Sequence, residues 1–267
     1  MFKLQILVST MFQKNNKIIE KMNIKSDAII INQCNEYNYE KFKINDNEFK
    51  IYSFEERGLS LSRNNALIRA TGDICLLADD DVVYNEDYEN IILQAFRNNP
   101  KADIIIFNLD RFDSRKSPII KKKTRVYWFN ILKYGSVRIA FRTASVKKAN
   151  IFFPLLFGSG AKYSSGEDSI FLIDCLKKGL RVYTNEGNIG LINNENSTWF
   201  EGYTNKYFHD KGAVFHLISP AFSKLLCLQF ALRKKKIFKE YCNWITAYNN
   251  MKKGIIEVKS IGNEMFK

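Results

Sequence analysis

Residues 74–84 read Ile-Cys-Leu-Leu-Ala-Asp-Asp-Asp-Val-Val-Tyr, a short apolar run that ends in three consecutive carboxylates. An apolar run this short, with no helical period, is the pattern of a strand buried on both faces, as in the middle of a parallel sheet. The acids then stand at the carboxyl end of the strand, where open α/β sheets bind ligands. Adjacent like charges disfavour one another unless a cation or solvent relieves them. The stretch therefore calls for something positive at the rim of a sheet.

The flanking sequence supplies the rest of such a sheet. Leu4 to Val8 is an apolar run followed by Ser9-Thr10, and Gln13 to Met22 places Ile18, Ile19 and Met22 at helical spacing. Ala28 to Ile31, ending in Asn32-Gln33, and the more amphipathic Phe49 to Phe54 are further strands. Leu59 to Ala70 reads as a helix with Ser60 as its N-cap and Gly72 just beyond its end. It leads directly into the strand ending at Asp79, so its amino end and the acids share one rim. Asn85 to Asn98, opening with Glu86, Asp87 and Glu89, suits a crossover helix, because acids favour the positive end of the macrodipole. Asp103 to Asn108 repeats the buried-strand pattern. Strands separated by helices predict a parallel α/β sheet.

From Leu109 the character changes. Arg111 to Arg125 is basic, contains Pro118 and Lys121-Lys122-Lys123, and reads as a solvated loop with an excursion. Ser136 to Phe141 is expected as a strand and Arg142 to Lys148 as a short helix. A glycine- and serine-rich loop from Phe157 to Gly166 ends in Glu167-Asp168, with a helix expected over Ser169 to Lys178, then strands at Leu180 to Tyr183 and Ile189 to Ile192. Ala221 to Phe238 reads as a helix whose apolar residues cover most of its circumference before Arg233-Lys234-Lys235-Lys236. The implied organisation is 1–108 as a nucleotide-binding half, 109–200 as an acceptor half of the same domain, and 201–267 as a helical, basic segment.

Composition narrows the classes. With 267 residues, 46% of them hydrophobic, the chain can bury a real core. A net charge of +13 favours a polyanionic partner: nucleic acid, an anionic membrane or a phosphorylated substrate. Five scattered cysteines without a CxxC pair argue against a disulfide framework or zinc knuckle and for reduced thiols in a cytoplasm. The amino terminus reads as a strand, not a signal peptide.

Hard divalent cations take oxygen ligands, so carboxylates at a strand end fit Mn2+ or Mg2+ shared with phosphate oxygens. A surface acidic turn is the plain alternative. An EF-hand is excluded, because Val83 occupies an obligatory ligand position. Gly158-Ser159-Gly160 lacks the third glycine of a dinucleotide fingerprint, and no Gly-Lys-Ser/Thr follows for a phosphate loop. With His209 and His216 the only histidines, a histidine-rich metal site is ruled out.

Two stretches together carry a family resemblance. Arg57-Gly58-Leu59-Ser60-Leu61-Ser62-Arg63-Asn64-Asn65-Ala66, followed by Ala70 to Asp81, resembles the central signature of family 2 glycosyltransferases with the GT-A fold. Gly166-Glu167-Asp168, with a helix ending Lys177-Lys178-Gly179, is similar to that family's acidic pair, which begins at Glu167, 86 residues beyond Asp81. The resemblance implies a GT-A fold: a Rossmann-like α/β architecture with a mixed, mostly parallel sheet flanked by helices, here with a C-terminal helical segment.

It also implies roles. Asp81, with Asp79, would bind Mn2+ or Mg2+, and His209 could complete the metal shell. Asp79 and Asp80 would meet the ribose or sugar of the donor, with Ser9, Thr10, Asn32, Gln33, Arg57 and Arg63 around the nucleotide. Ala78 stands where many members carry an acid, which leaves the division of labour within the triplet open, and an amide at Asn32 or Gln33 replaces a base-contacting acid. Asp168 would be the base that deprotonates the acceptor hydroxyl, with Glu167 orienting acceptor or loop and Gly158, Ser159 and Gly160 shaping the acceptor loop. An adjacent acid pair suits that task, since a neighbouring like charge or desolvation raises a carboxyl pKa; capping the helix at Ser169 is its plain alternative.

The expected function is metal-dependent, inverting transfer from a nucleotide-diphosphate sugar, UDP-linked first, to a saccharide or lipid-linked acceptor in bacterial capsule or exopolysaccharide assembly. The tail helix is expected either on an anionic membrane at the inner face of the cell or packed on the catalytic domain. A nucleotidyltransferase is disfavoured because Ser9 to Asn16 lacks a glycine- and basic-rich loop. A nucleic-acid binder would leave the acidic triplet without a task.

Overall fold

The computed structural model describes residues 2–111, 119–193 and 202–265. In chain order the first half is β1 (Leu4–Met11), α1 (Lys17–Lys21), β2 (Asp27–Gln33), β3 (Asn38–Ile44), β4 (Asn47–Phe54), α2 (Leu59–Arg69), β5 (Ile74–Asp79), β6 (Val82–Tyr84), α3 (Tyr88–Asn98) and β7 (Ile104–Arg111). Then come β8 (Arg125–Val126), β9 (Ile139–Arg142), α4 (Thr143–Lys148), α5 (Glu167–Lys177), β10 (Val182–Ile192), α6 (Asn205–Ile218), α7 (Ser223–Lys234) and α8 (Trp244–Met265). The basic excursion at 112–118 and the expected boundary near 200 lie outside the described residues.

One sheet runs in the order β3-β4-β2-β1-β5-β9-β7-β10-β6, with β8 paired to β10. β4, β2, β1 and β5 are parallel neighbours, as are β7 and β10. β9 is inserted antiparallel between β5 and β7. The sheet is therefore mixed and mostly parallel. Side chains alternate along each central strand. Leu7, Ile29, Ile31, Cys75 and Leu77 face the layer of α2, α5 and the C-terminal helices. Ile6, Val8, Ala28, Ile30, Ile74 and Leu76 face α1 and α3. Strands covered on both sides lose the polar alternation of a solvated face, which is why the Ile74 run is apolar throughout.

Several elements differ from the sequence expectation. α1 begins only at Lys17, because Gln13 is drawn into the site. α5 begins at Glu167, which puts the acidic pair in its first turn. The two strands expected at 180–183 and 189–192 are one strand, β10, with register shifts at Asn188. The strand expected from Ser136 begins at Ile139, after a short 3-10 turn. The helix expected over 221–238 is α7, and α6 and α8 flank it in the same core as α2 and α5.

α6 and α8 meet backbone to backbone. A Cβ added at Gly212 would lie 1.9 Å from the carbonyl oxygen of Met251, and one at Gly254 would lie 1.9 Å from that of His209. Both glycines sit where no side chain fits. All five cysteines are free thiols, four of them buried.

Candidate active site

The site grows from the polar face of α2. Gly58, at φ +122°, starts the helix in backbone space that favours glycine. The Gln33 amide fixes it from both sides, donating to the Gly58 carbonyl (3.1 Å) and accepting from its N–H (3.2 Å). α2 then buries Ser60, Ser62, Arg63 and Asn64. A helix can afford a buried polar face only if its side chains find partners, and all four do. Ser62 donates to Ser9 (2.8 Å), Ser60 to the Phe157 carbonyl (2.6 Å), and Asn64 pairs with both backbone groups of Phe153 (2.9 and 2.7 Å). Ser60 is thus not the N-cap; its hydroxyl ties α2 to the loop that begins at Phe157.

Arg63 joins the two sequence signatures. One terminal nitrogen, Nη1, donates to Glu167 Oε1 (3.0 Å) and Asp168 Oδ1 (2.5 Å); the other, Nη2, donates to Asp79 Oδ1 (3.1 Å) and Oδ2 (3.3 Å). The guanidinium is buried, with its plane near the Phe153 ring. Burial alone would lower its pKa, but Asp168, Asp79 and Glu167 outweigh that and raise it. Arg63 was expected at the diphosphate or base; its nitrogens are turned onto the carboxylates instead. Burial and then Asp168 push Glu167 up against the pull of Arg63. Burial likewise raises Asp79, with Arg63 pulling the other way.

A second cluster holds Asp80. Its Oδ2 accepts from Thr10 (2.5 Å) and from Gln13 Nε2 (3.5 Å), and Gln13 also donates to Thr10 Oγ1 (2.9 Å). The Gln13 backbone is paired both ways with the Asn32 amide (2.9 and 3.0 Å), so Ser9, Thr10, Gln13 and Asn32 form one wall beside the acids. Gln13 was not foreseen, because it sits in a polar stretch without period. Arg57 lies further out, donating to the carbonyls of Cys34 (2.8 Å) and Glu56 (2.6 Å) and to Asn35 Oδ1 (2.6 Å), and it stacks on Phe12.

The loop from Phe157 to Gly166 closes the other side. The Leu59 N–H donates to the Ser159 carbonyl (2.9 Å). Gly158 and Gly160 both have positive φ, and a Cβ on Gly158 would come within 3.3 Å of the Glu167 side chain. Gly158, Ser159 and Gly160 are therefore brought to α2 and the acid pair. His209 is not brought to the triplet. Its Nδ1 lies 3.3 Å from Asp210 and its Nε2 3.2 Å from Glu257, and its ring stacks on Tyr163.

Asp79, Asp80, Asp81, Glu167 and Asp168 thus gather at one rim. Burial first, then Asp79 and Asp80, push Asp81 up to about 6, the penalty a cation would relieve. Among the described residues no group of three or more His, Cys, Asp or Glu side chains is placed to hold a metal ion. Asp81 and Asp79 offer oxygen donors of the kind a hard divalent ion takes.

Residues 30–155 match the family model for Glycosyl transferase family 2. That stretch covers α2 and the acidic triplet and ends before Glu167. The fold resembles that of S. aureus TarS 1-349 in complex with UDP-GlcNAc, at 17% identity and TM-score 0.66 over 95% of this chain and 81% of that one. It also resembles the mannosyltransferase PcManGT from Pyrobaculum calidifontis in complex with GDP-Man and Mn2+, at 12% identity and TM-score 0.52 over 96% and 87% of the two chains. No protein of curated function matches by sequence. The fold is GT-A, and within it residues 30–155 are similar to family 2 glycosyl transferases.

Proposed function

We propose that the protein transfers a hexosyl group, with inversion, from a UDP-sugar to a saccharide or lipid-linked saccharide during bacterial surface-polysaccharide synthesis. The observation that carries this is Arg63 holding Asp79 from the first signature against Glu167 and Asp168 from the second. Donor acids and acceptor acids are thereby locked at one rim. The TarS structures with UDP-GlcNAc and with UDP support a UDP-linked donor.

In this reading Thr10, Gln13 and Asn32 form the donor wall and position Asp80 at the ribose or sugar. Asp168 takes the proton of the acceptor hydroxyl as that oxygen bonds to the anomeric carbon and the bond to the nucleoside diphosphate breaks. Glu167, more deeply buried, orients the loop through Arg63. Mn2+ or Mg2+ held by Asp81 and Asp79 would neutralise the diphosphate as it leaves.

The enzyme would work from the cytoplasm at an anionic membrane face. No helix among the described residues is long and apolar enough to cross a membrane. α7 buries Cys227 and Ala231 yet exposes Phe222, Leu225 and Leu232 beside it or along it. Between α7 and α8 a groove of about 590 Å³ is lined by Lys224, Lys252, Lys253 and Lys259. This combination suits interfacial binding.

The test is thermal stability of the full chain with UDP-, GDP- and CDP-sugars, with and without Mn2+, for the parent and Asp81→Asn. A rise with a UDP-sugar that needs both metal and Asp81 is expected. Failure of every nucleotide-sugar to bind would remove the proposed donor chemistry, while binding unchanged in EDTA would remove the metal alone.

A further inference from the structure

Between Ile119 and Arg138 the chain carries six basic residues and no acid. Ile120, Val126, Ile131 and Tyr134 from this segment are buried in the core. The backbone is pinned as well: Ile120 exchanges hydrogen bonds with the Asn108 side chain (2.8 and 2.9 Å), and β8 pairs with β10. The segment thus makes its full contribution to the fold, and a second apolar set is left over. Tyr127 is 45% exposed, Trp128 65% and Phe129 69%, with Ile119 and Leu132 exposed beside them in sequence.

The three aromatics form an ordered turn. The Asn130 N–H donates to the Tyr127 carbonyl (3.0 Å), and the Asn130 side chain accepts from the Tyr127 N–H (2.9 Å). Tyr127 and Phe129 stack at 5.7 Å, Trp128 meets Phe129 edge-on at 6.1 Å, and Arg125 lies over Tyr127. Turns in water carry polar residues; this one carries the largest apolar ones. Lys121, Lys122, Lys123, Arg125 and Lys133 are exposed around it in sequence.

We propose that the Tyr127–Phe129 turn is a docking element for an anionic lipid bilayer, with the aromatics at headgroup depth and the flanking lysines on lipid phosphates. Tryptophan and tyrosine favour that depth, and basic clusters beside them are drawn to anionic leaflets. Single-stranded nucleic acid also takes aromatics and cations, but Ile119 and Leu132 gain from acyl chains and nothing from stacked bases. The proposal rests on the peripheral-membrane part of the proposed function and names a surface separate from α7 and α8.

The experiment is co-sedimentation of the full chain with phosphatidylcholine vesicles, with and without phosphatidylglycerol. It compares the parent, Trp128→Ser/Phe129→Ser, and the tail variant Lys234→Gln/Lys235→Gln/Lys236→Gln. UDP-sugar binding is measured on the same preparations and should be unchanged in all three. The parent is expected to bind only the anionic vesicles, and the aromatic variant to bind at least about tenfold more weakly. In a Trp199→Phe/Trp244→Phe background, Trp128 emission should shift to the blue on binding. Aromatic-variant binding equal to the parent's overturns this turn's role and leaves the peripheral reading standing. A parent that ignores anionic vesicles, or binds an oligonucleotide in their place, overturns both, while UDP-sugar binding still reports on the donor reading.

Discussion

Asp168 accepts a 2.5 Å hydrogen bond from Nη1 of Arg63, a residue 105 positions earlier in the chain. The same guanidinium holds Glu167 and Asp79, so one buried cation fixes the spacing of three acids. Removing it leaves carboxylates buried without their counter-ion, which typically costs about 3–5 kcal/mol. Arg63→Met should therefore lose about that much in urea unfolding. Arg63→Lys keeps the charge but not the fork that reaches both sides. It should retain more stability yet transfer sugar about 100-fold more slowly; a lysine variant as fast as the parent would show that the spacing is not set by the guanidinium.

The two acids of α5 should separate by role. The Asp168 side chain is 20% exposed and that of Glu167 9%, so Asp168 is the more open of the two and, in the proposed function, the one that meets the acceptor. Asp168→Asn should lower kcat by about 100- to 10,000-fold while donor affinity, read by titration, holds. Glu167→Gln should show more of its effect in stability. Wild-type turnover from Asp168→Asn would move the base elsewhere.

The strand ending in Asp79 was legible because it violates an ordinary pattern, being apolar on every position before the acids. The helix α2 was legible as a helix, but its buried polar face was not, because Ser60, Ser62, Arg63 and Asn64 find their partners far away in sequence. The acid pair was legible only through its partner signature. Gln13 was not, since its role depends on the Asn32 amide and on Asp80, far away in sequence. β3 went unread because six of its seven residues are exposed in an edge hairpin. α6 and α8 went unread for a related reason: glycine weakens a helix pattern, and Gly212 and Gly254 are there for the neighbouring helix.

Asp210 predicts a pH dependence. Burial would raise its carboxyl, but hydrogen bonds from Lys206, from the Ser164 backbone and hydroxyl, and from His209 lower it overall. A depressed folded-state pKa gives stability that is present above the unfolded value, about 3.9, and lost as pH falls through the folded one. Asp210→Asn should cost about 1–3 kcal/mol at neutral pH and flatten the loss of stability with acid. An unchanged acid-unfolding profile would mean that the Ser164 contact contributes no linkage.

The crossing of α6 and α8 gives the last prediction. At 1.9 Å from a facing carbonyl oxygen, a new methyl at Gly212 or Gly254 cannot be absorbed by a side-chain rotation, because the obstacle is backbone. The helices must move apart, and overpacking of this kind costs about 1–3 kcal/mol. On an exposed helix the same change would stabilise, since alanine is the better helix former by about 1 kcal/mol, so the sign itself is diagnostic. Gly212→Ala and Gly254→Ala should each lower Tm. The pair should cost less than the sum, because once the helices have separated for one methyl the second meets less resistance. Glycine 262, whose added Cβ would meet nothing within 4 Å, supplies the control: Gly262→Ala should leave Tm unchanged or raise it.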